Sequence, residues 1–137
     1  LKIEARLENL ATIADFISES MHRLDISAGE YEVQTAVDEA CTNIINYAYS
    51  GQGGIINISC ELQANDFVVT IRDWGKPFDP TTVPPPDLEA DLQERKIGGL
   101  GIYLMNKLMD DVSYSFDPKS GNTLIMRKRI TGEKPGN

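Results

Sequence analysis

Strict alternation in two places constrains this chain more than any other feature. Ile56, Ile58, Cys60 and Leu62 recur at every second position. After the turn residues Ala64-Asn65-Asp66, the run FVVTIRD from Phe67 to Asp73 continues the pattern. Successive side chains of a strand point to opposite faces, so a period of two broken by a short polar turn predicts a β-hairpin. A second hairpin is predicted from VSYSF and NTLIMRKRI around DPKSG. The opening KIEARL alternates as well, with Ile3, Ala5 and Leu7 on one face.

Elsewhere the spacing is helical. Leu10, Ile13, Phe16, Ile17, Met21 and Leu24 make one apolar stripe, with Asn9 placed to cap it. Ser27-Ala-Gly-Glu30 has the pattern of a capping box and predicts a helix running to about Ser50, with Gly51 as its stop. Gly98-Gly99-Leu100-Gly101 opens a third helix carrying Ile102, Leu104, Met105 and Leu108. Between them, Pro77, Pro80, Pro84, Pro85, Pro86 and the acidic DLEADLQE break all periodicity. A connection of that length is a functional lid or a disordered linker. The order is strand, two helices, hairpin, loop, helix, hairpin, with no repeat. It predicts a single α+β domain over 1–137: a two-layer sandwich of a mostly antiparallel mixed sheet with three main helices on one face.

Composition narrows the function. A net charge of -8 on 137 residues argues against a nucleic-acid backbone as partner. The one basic run, Arg127-Lys128-Arg129, sits in a predicted strand that would split it between two faces. No apolar segment nears the roughly 20 residues that span a bilayer, and no charged-then-apolar signal segment follows Leu1. Cys41 and Cys60 read as small buried hydrophobes, which suits a reducing cytoplasm. Two isolated cysteines and one histidine, His22, make neither a zinc site nor a nucleophile–histidine pair.

The second helix poses the functional question. At about 100° per residue, Glu32, Thr35, Glu39, Asn43, Asn46 and Ser50 share one strip, opposite Val33, Val37, Ala40, Ile44 and Ala48. That strip is either a solvated face or the floor of a binding site. It contains no basic residue, and Glu39 and Asn43, at i and i+4, can reach one small object. Asp73-Trp74-Gly75 ends a strand with a carboxylate. Gly99-x-Gly101 offers backbone N–H groups at a helix start, and Gly121-Asn122-Thr123 reads as a hairpin turn. Each of these is weak alone.

Taken in order, Glu39-x-x-x-Asn43, Asp73-x-Gly75, Gly99-x-Gly101 and Gly121-x-Thr123 resemble the four motifs of the GHKL (histidine-kinase-like) ATPase fold. The strings VDEACTNIINYAYSG, IRDWGKPFDP and GGLGIYLMNKLMDDVSYS are closest to the small bacterial anti-sigma-factor serine/threonine kinases. The resemblance runs over nearly the whole chain. It implies that Asn43 ligates a Mg²⁺ bridging the ATP phosphates and that Glu39 acts as general base on the incoming hydroxyl. Asp73 would accept a hydrogen bond from the adenine amino group, with Gly75 and Thr123 beside it. Gly99 and Gly101 would pass backbone close to the phosphates. Residues 76–97 would be the ATP lid, with Arg95 and Lys96 reaching the terminal phosphate.

The implied partners are an anti-sigma-factor antagonist, phosphorylated on Ser or Thr, and a sigma factor or similar regulator. The resemblance also suggests a homodimer with the opening strand near its interface. Two positions depart from the family pattern: Tyr47 stands where members commonly carry His, and Trp74 adds an aromatic near the presumed adenine. A nucleotide-gated binding module without kinase activity is the alternative reading.

Overall fold

The structure, a computed structural model, describes residues 1–80 and 99–130. Five strands form one sheet in the order β1-β2-β3-β5-β4: β1 (Lys2–Glu4), β2 (Ile55–Gln63), β3 (Asp66–Asp73), β4 (Asp111–Asp117) and β5 (Gly121–Arg129). Every pairing is antiparallel. Three helices, α1 (Leu10–Arg23), α2 (Glu30–Asn43) and α3 (Gly99–Leu108), cover one face, with α2 between the other two.

Register explains which face is covered. Ile58 pairs with Ile71, Ile71 with Leu124 and Leu124 with Tyr114, so these four stand in one row on one side. The neighbouring row is Cys60, Val69, Met126 and Val112. Against these rows pack Ile13, Ile17 and Met21 from α1, Val33, Val37 and Ala40 from α2, and Ile102 and Met105 from α3. Each of these Val, Ile and Met side chains contributes about 1.5–3 kcal/mol by leaving water, and Ala40 less. The alternate positions Asn57, Ser59, Ser113 and Ser115 are exposed on the other side.

Three local expectations are corrected. β1 stops at Glu4, and Leu7 begins a short 3-10 turn (Leu7–Asn9), where it is 53% exposed. Asn9 precedes α1 without capping it, because its Nδ2 donates to the Glu4 carbonyl instead. The Ser27–Glu30 capping box does not form either. Gly29 holds the N-cap position in a left-handed conformation (φ 86°), and Glu30 accepts from the Ser18 hydroxyl and pairs with His22, binding α2 to α1.

The largest departure lies at the end of α2. Regular helix ends at Asn43, and Ile44–Ala48 form a π turn in which the Tyr49 N–H donates to the Ile44 carbonyl. The wider turn shifts the wheel, so Asn46 and Ser50 leave the strip they share with Glu39 and Asn43 in a regular helix and stand exposed. Such π turns occur often at functional sites. The basic run behaves as alternation predicts. Arg127 donates to Gln63, Arg129 to Asp66, and Lys128, on the covered face, donates to the Leu108 carbonyl at the end of α3. Among the described residues, no helix is long and apolar enough to cross a membrane.

Candidate functional site

Where β3 ends, the sheet and α2 diverge and leave a cleft of about 410 Å³, open mouth included. Ala40, Asn43, Ile44 and Ala48 line it from the helix side, Asp73, Asn122, Leu124 and Tyr114 from the sheet. Met105 closes it from α3, and Lys76, Phe78 and Pro80 from the chain after β3. A few polar groups converging on apolar walls is the usual make-up of a small-molecule site.

The walls are held together by the π turn. Tyr49 Oη donates to the Ile55 carbonyl at 2.7 Å and accepts from the Trp74 N–H at 2.8 Å. The Lys76 N–H donates to the Ala48 carbonyl at 2.8 Å. The chain leaving β3 is thereby fixed against the end of α2, which sets Asp73 opposite Asn43. Gly75 is needed for this crossing. A Cβ there would overlap the Ala48 carbonyl oxygen and lie 2.6 Å from its carbon. The glycine makes room for protein backbone.

Asp73 is buried, and burial raises its carboxyl above the ordinary value. Hydrogen bonds from Asn122 (2.7 Å) and the Gly75 N–H (2.9 Å) work in the opposite direction. Glu39 lies one helical turn before Asn43, half-buried, and its carboxyl is also raised, first by desolvation and then by Asp38. It faces the first turn of α3. A Cβ on Gly101 would overlap Glu39 Oε1 and come within 3.0 Å of Cδ.

The sequence-predicted residues therefore separate into groups. Asn43 and Asp73 face one cleft, and Glu39 sits beside it against Gly101. Gly99 starts α3. Thr123 pairs with Arg72 and Ser115, which puts its side chain on the sheet face away from Asp73. The neighbour that reaches the carboxylate is Asn122. The alternation of Leu124 and Met126 carried the signal for it, since Asn122 shares their face. Tyr114 and Lys76, both lining the cleft, were not singled out by sequence. Tyr47 and Trp74 do not line it, and Trp74 lies half-exposed with Arg72 5.9 Å above its ring. Arg95 and Lys96 lie outside the described residues, as do all but the first five residues of the expected lid, 76–97.

Among the described residues there is no group of three His, Cys, Asp or Glu side chains fit to hold a metal. Glu39 and Asn43 suit a different case, a hard cation that brings phosphate and water ligands and needs only one or two oxygens from protein.

Comparison with known proteins agrees with this geometry. A family model described as a histidine kinase-like ATPase domain matches residues 3–128. Serine-protein kinase RsbW of Bacillus cereus (strain AH820) is 33% identical over 142 residues, covering 100% of this chain and 88% of the relative. Serine-protein kinase RsbW of Bacillus anthracis (strain A0248) and of Bacillus thuringiensis (strain Al Hakam) match with the same identity and coverage. Sheet order, cleft, motif positions and whole-length similarity lead to one assignment: the chain belongs to the histidine kinase-like ATPase domain family and is similar throughout to the serine-protein kinase RsbW proteins.

Proposed function

We propose that this protein is an ATP-dependent serine/threonine kinase of the anti-sigma-factor type. It would transfer the γ-phosphate of ATP to a hydroxyl of a small antagonist protein and bind a sigma factor or similar regulator in a cytoplasmic setting. The observation that carries the proposal is the cleft between α2 and β3, which has Asn43 on one wall, the buried Asp73 carboxylate on the other, and Glu39 one turn away.

In this reading the adenine amino group donates to Asp73 and the phosphates extend toward Asn43 and the start of α3. Mg²⁺, when bound, neutralises phosphate charge, with Asn43 as its protein ligand. Backbone N–H groups at Gly99 and Gly101 favour the anion through the helix dipole. Arg95 and Lys96 keep the phosphate-contact role that sequence resemblance assigns them, and residues 76–97 that of the lid.

Transfer forms a bond from the acceptor oxygen to the γ-phosphorus and breaks the bond from that phosphorus to the β–γ bridging oxygen. ADP carries away the electron pair. The hydroxyl proton passes to Glu39, whose raised carboxyl makes it a better base than an ordinary carboxylate.

Calorimetry with ATP, with and without Mg²⁺, tests the site. Asp73→Asn should abolish binding, and Asn43→Ala should remove only the part that depends on Mg²⁺. Transfer of labelled phosphate to the antagonist protein should be lost in Glu39→Ala. Absence of ATP binding by wild type at millimolar concentration sinks the proposal. Binding without any transfer leaves the nucleotide-gated binding module.

A further inference from the structure

The Asp73 side chain makes two hydrogen bonds among the described residues, and both go to one oxygen. Oδ1 accepts from the Gly75 N–H at 2.9 Å and from Asn122 Nδ2 at 2.7 Å. The same Nδ2 donates to the Gly75 carbonyl at 3.0 Å, so both of its hydrogens are used. A backbone carbonyl only accepts, which fixes the amide orientation: nitrogen toward Asp73 and Gly75, oxygen toward Tyr114. The Tyr114 hydroxyl then donates to Asn122 Oδ1 at 3.0 Å, and its own oxygen accepts from the Phe78 N–H at 3.0 Å. Each hydrogen in this chain has one destination.

Two consequences follow from the count of donors. Asn122 has no hydrogen left for a ligand, although it lines the cleft. Among the described residues, Asp73 has one oxygen occupied and one, Oδ2, left as an acceptor. A carboxylate has a broad torsion about its last bond; the Gly75 N–H holds Oδ1 from the backbone of the same turn, and Asn122 adds the second, lateral donor that narrows the remaining rotation. Asn122 is 2% exposed, and the amide that restrains this rotation is thus held from all sides.

We propose that Asn122 is the positioning residue that aligns Asp73, presenting Oδ2 to the exocyclic amino group of the nucleobase and so setting the preference for a 6-aminopurine. It acts through Asp73 and does not touch the base. Tyr114 serves it in turn by holding the amide oxygen. This rests on the nucleotide reading given above.

The test uses the full chain and two ligands, ATP and purine riboside triphosphate, which differ only in the 6-amino group. Dissociation constants are measured by calorimetry for wild type, Asn122→Leu and Tyr114→Phe. Wild type should prefer ATP. In Asn122→Leu that preference should fall about tenfold, as expected when a hydrogen bond to a charged group loses alignment, while binding of the analogue changes little. Tyr114→Phe should lower the preference by a smaller factor in the same direction.

Equal weakening of both ligands in Asn122→Leu, with the preference intact, makes the residue structural and overturns the proposal. If Asn122→Leu fails to fold, an unchanged preference in Tyr114→Phe overturns it equally. Wild type that binds both ligands alike removes the role of Asp73 itself, a failure of the underlying nucleotide reading that the variants cannot mimic.

Discussion

Replacing Gly101 by alanine separates catalysis from stability. Gly101 is the third residue of α3, and its missing side chain leaves the space that the Glu39 carboxylate occupies. An added Cβ would overlap Oε1 and approach Cδ to 3.0 Å, inside the 3.4 Å at which ordinary contact begins. The obstructed atoms are the far end of a flexible side chain. Glu39 can therefore turn aside at little cost, moving its carboxylate by on the order of 1 Å, a misplacement that can cost ~100-fold in rate. That factor corresponds to about 2.7 kcal/mol in the barrier. Folding should not suffer, because alanine is favoured over glycine in a helix by about 1 kcal/mol.

The assay pairs single-turnover transfer of labelled γ-phosphate to the acceptor protein with thermal unfolding and ATP calorimetry. The expected result is a transfer rate about 100-fold lower, a midpoint unchanged or slightly higher, and ATP affinity within tenfold of wild type. Transfer within threefold of wild type would refute the placement of Glu39 as base. Loss of ATP affinity with normal transfer at saturation would return Gly101 to a phosphate-contact role alone.

Gly75→Ala should behave in the opposite way. Its Cβ meets the Ala48 backbone and not a mobile side-chain end, so unfolding free energy should drop by about 1–3 kcal/mol in denaturant melts, and an unchanged midpoint would contradict the crossing described here. The raised carboxyl of Asp73 predicts a pH effect on binding of adenosine, which carries no phosphates to titrate. The ionised carboxylate accepts from the amino group more strongly than the protonated acid, so affinity should rise as pH passes upward through the raised value and level off above it. In the unliganded protein the same shift favours the protonated folded state, so the stability Asp73 contributes is lost over that same upward range. NMR titrations with adenosine, carried from the ordinary carboxylate range upward, check the sign, and flat affinity would show that Asp73 does not meet the base.

Much of this protein was legible in its residues. Alternation at Ile56–Leu62 and Phe67–Asp73, and again in VSYSF and NTLIMRKRI, located both hairpins, because burying one sheet face imposes a period of two wherever it occurs. The stripe from Leu10 to Met21 located α1 for the corresponding reason at 3.6. Glu39 and Asn43 were also legible, since an i, i+4 pair on a helix without basic residues is a local property.

Local rules misjudged the joints. The Ser27–Glu30 pattern suits a capping box, but Glu30 is used to reach Ser18 and His22 on another helix, an interaction that depends on how α1 and α2 pack. The helix after Asn43 widens into a π turn whose last residue, Ala48, accepts from Lys76, and the Tyr49 that follows it accepts from Trp74, both distant in sequence.

The site followed the same division. Sequence alone determined the residue types, their order and the elements that carry them: a carboxylate and an amide on α2, a carboxylate ending β3, glycines opening α3. Tertiary structure decided which of these share a space and what each glycine is for. It turned Thr123 away and brought Asn122 onto Asp73, because strand pairing assigns alternate residues to opposite faces and only the pairing partners say which face is which. It also gave Gly75 and Gly101 their purpose, since the absence of a side chain has meaning only once another part of the chain, the Ala48 backbone or the Glu39 carboxylate, comes to occupy the place.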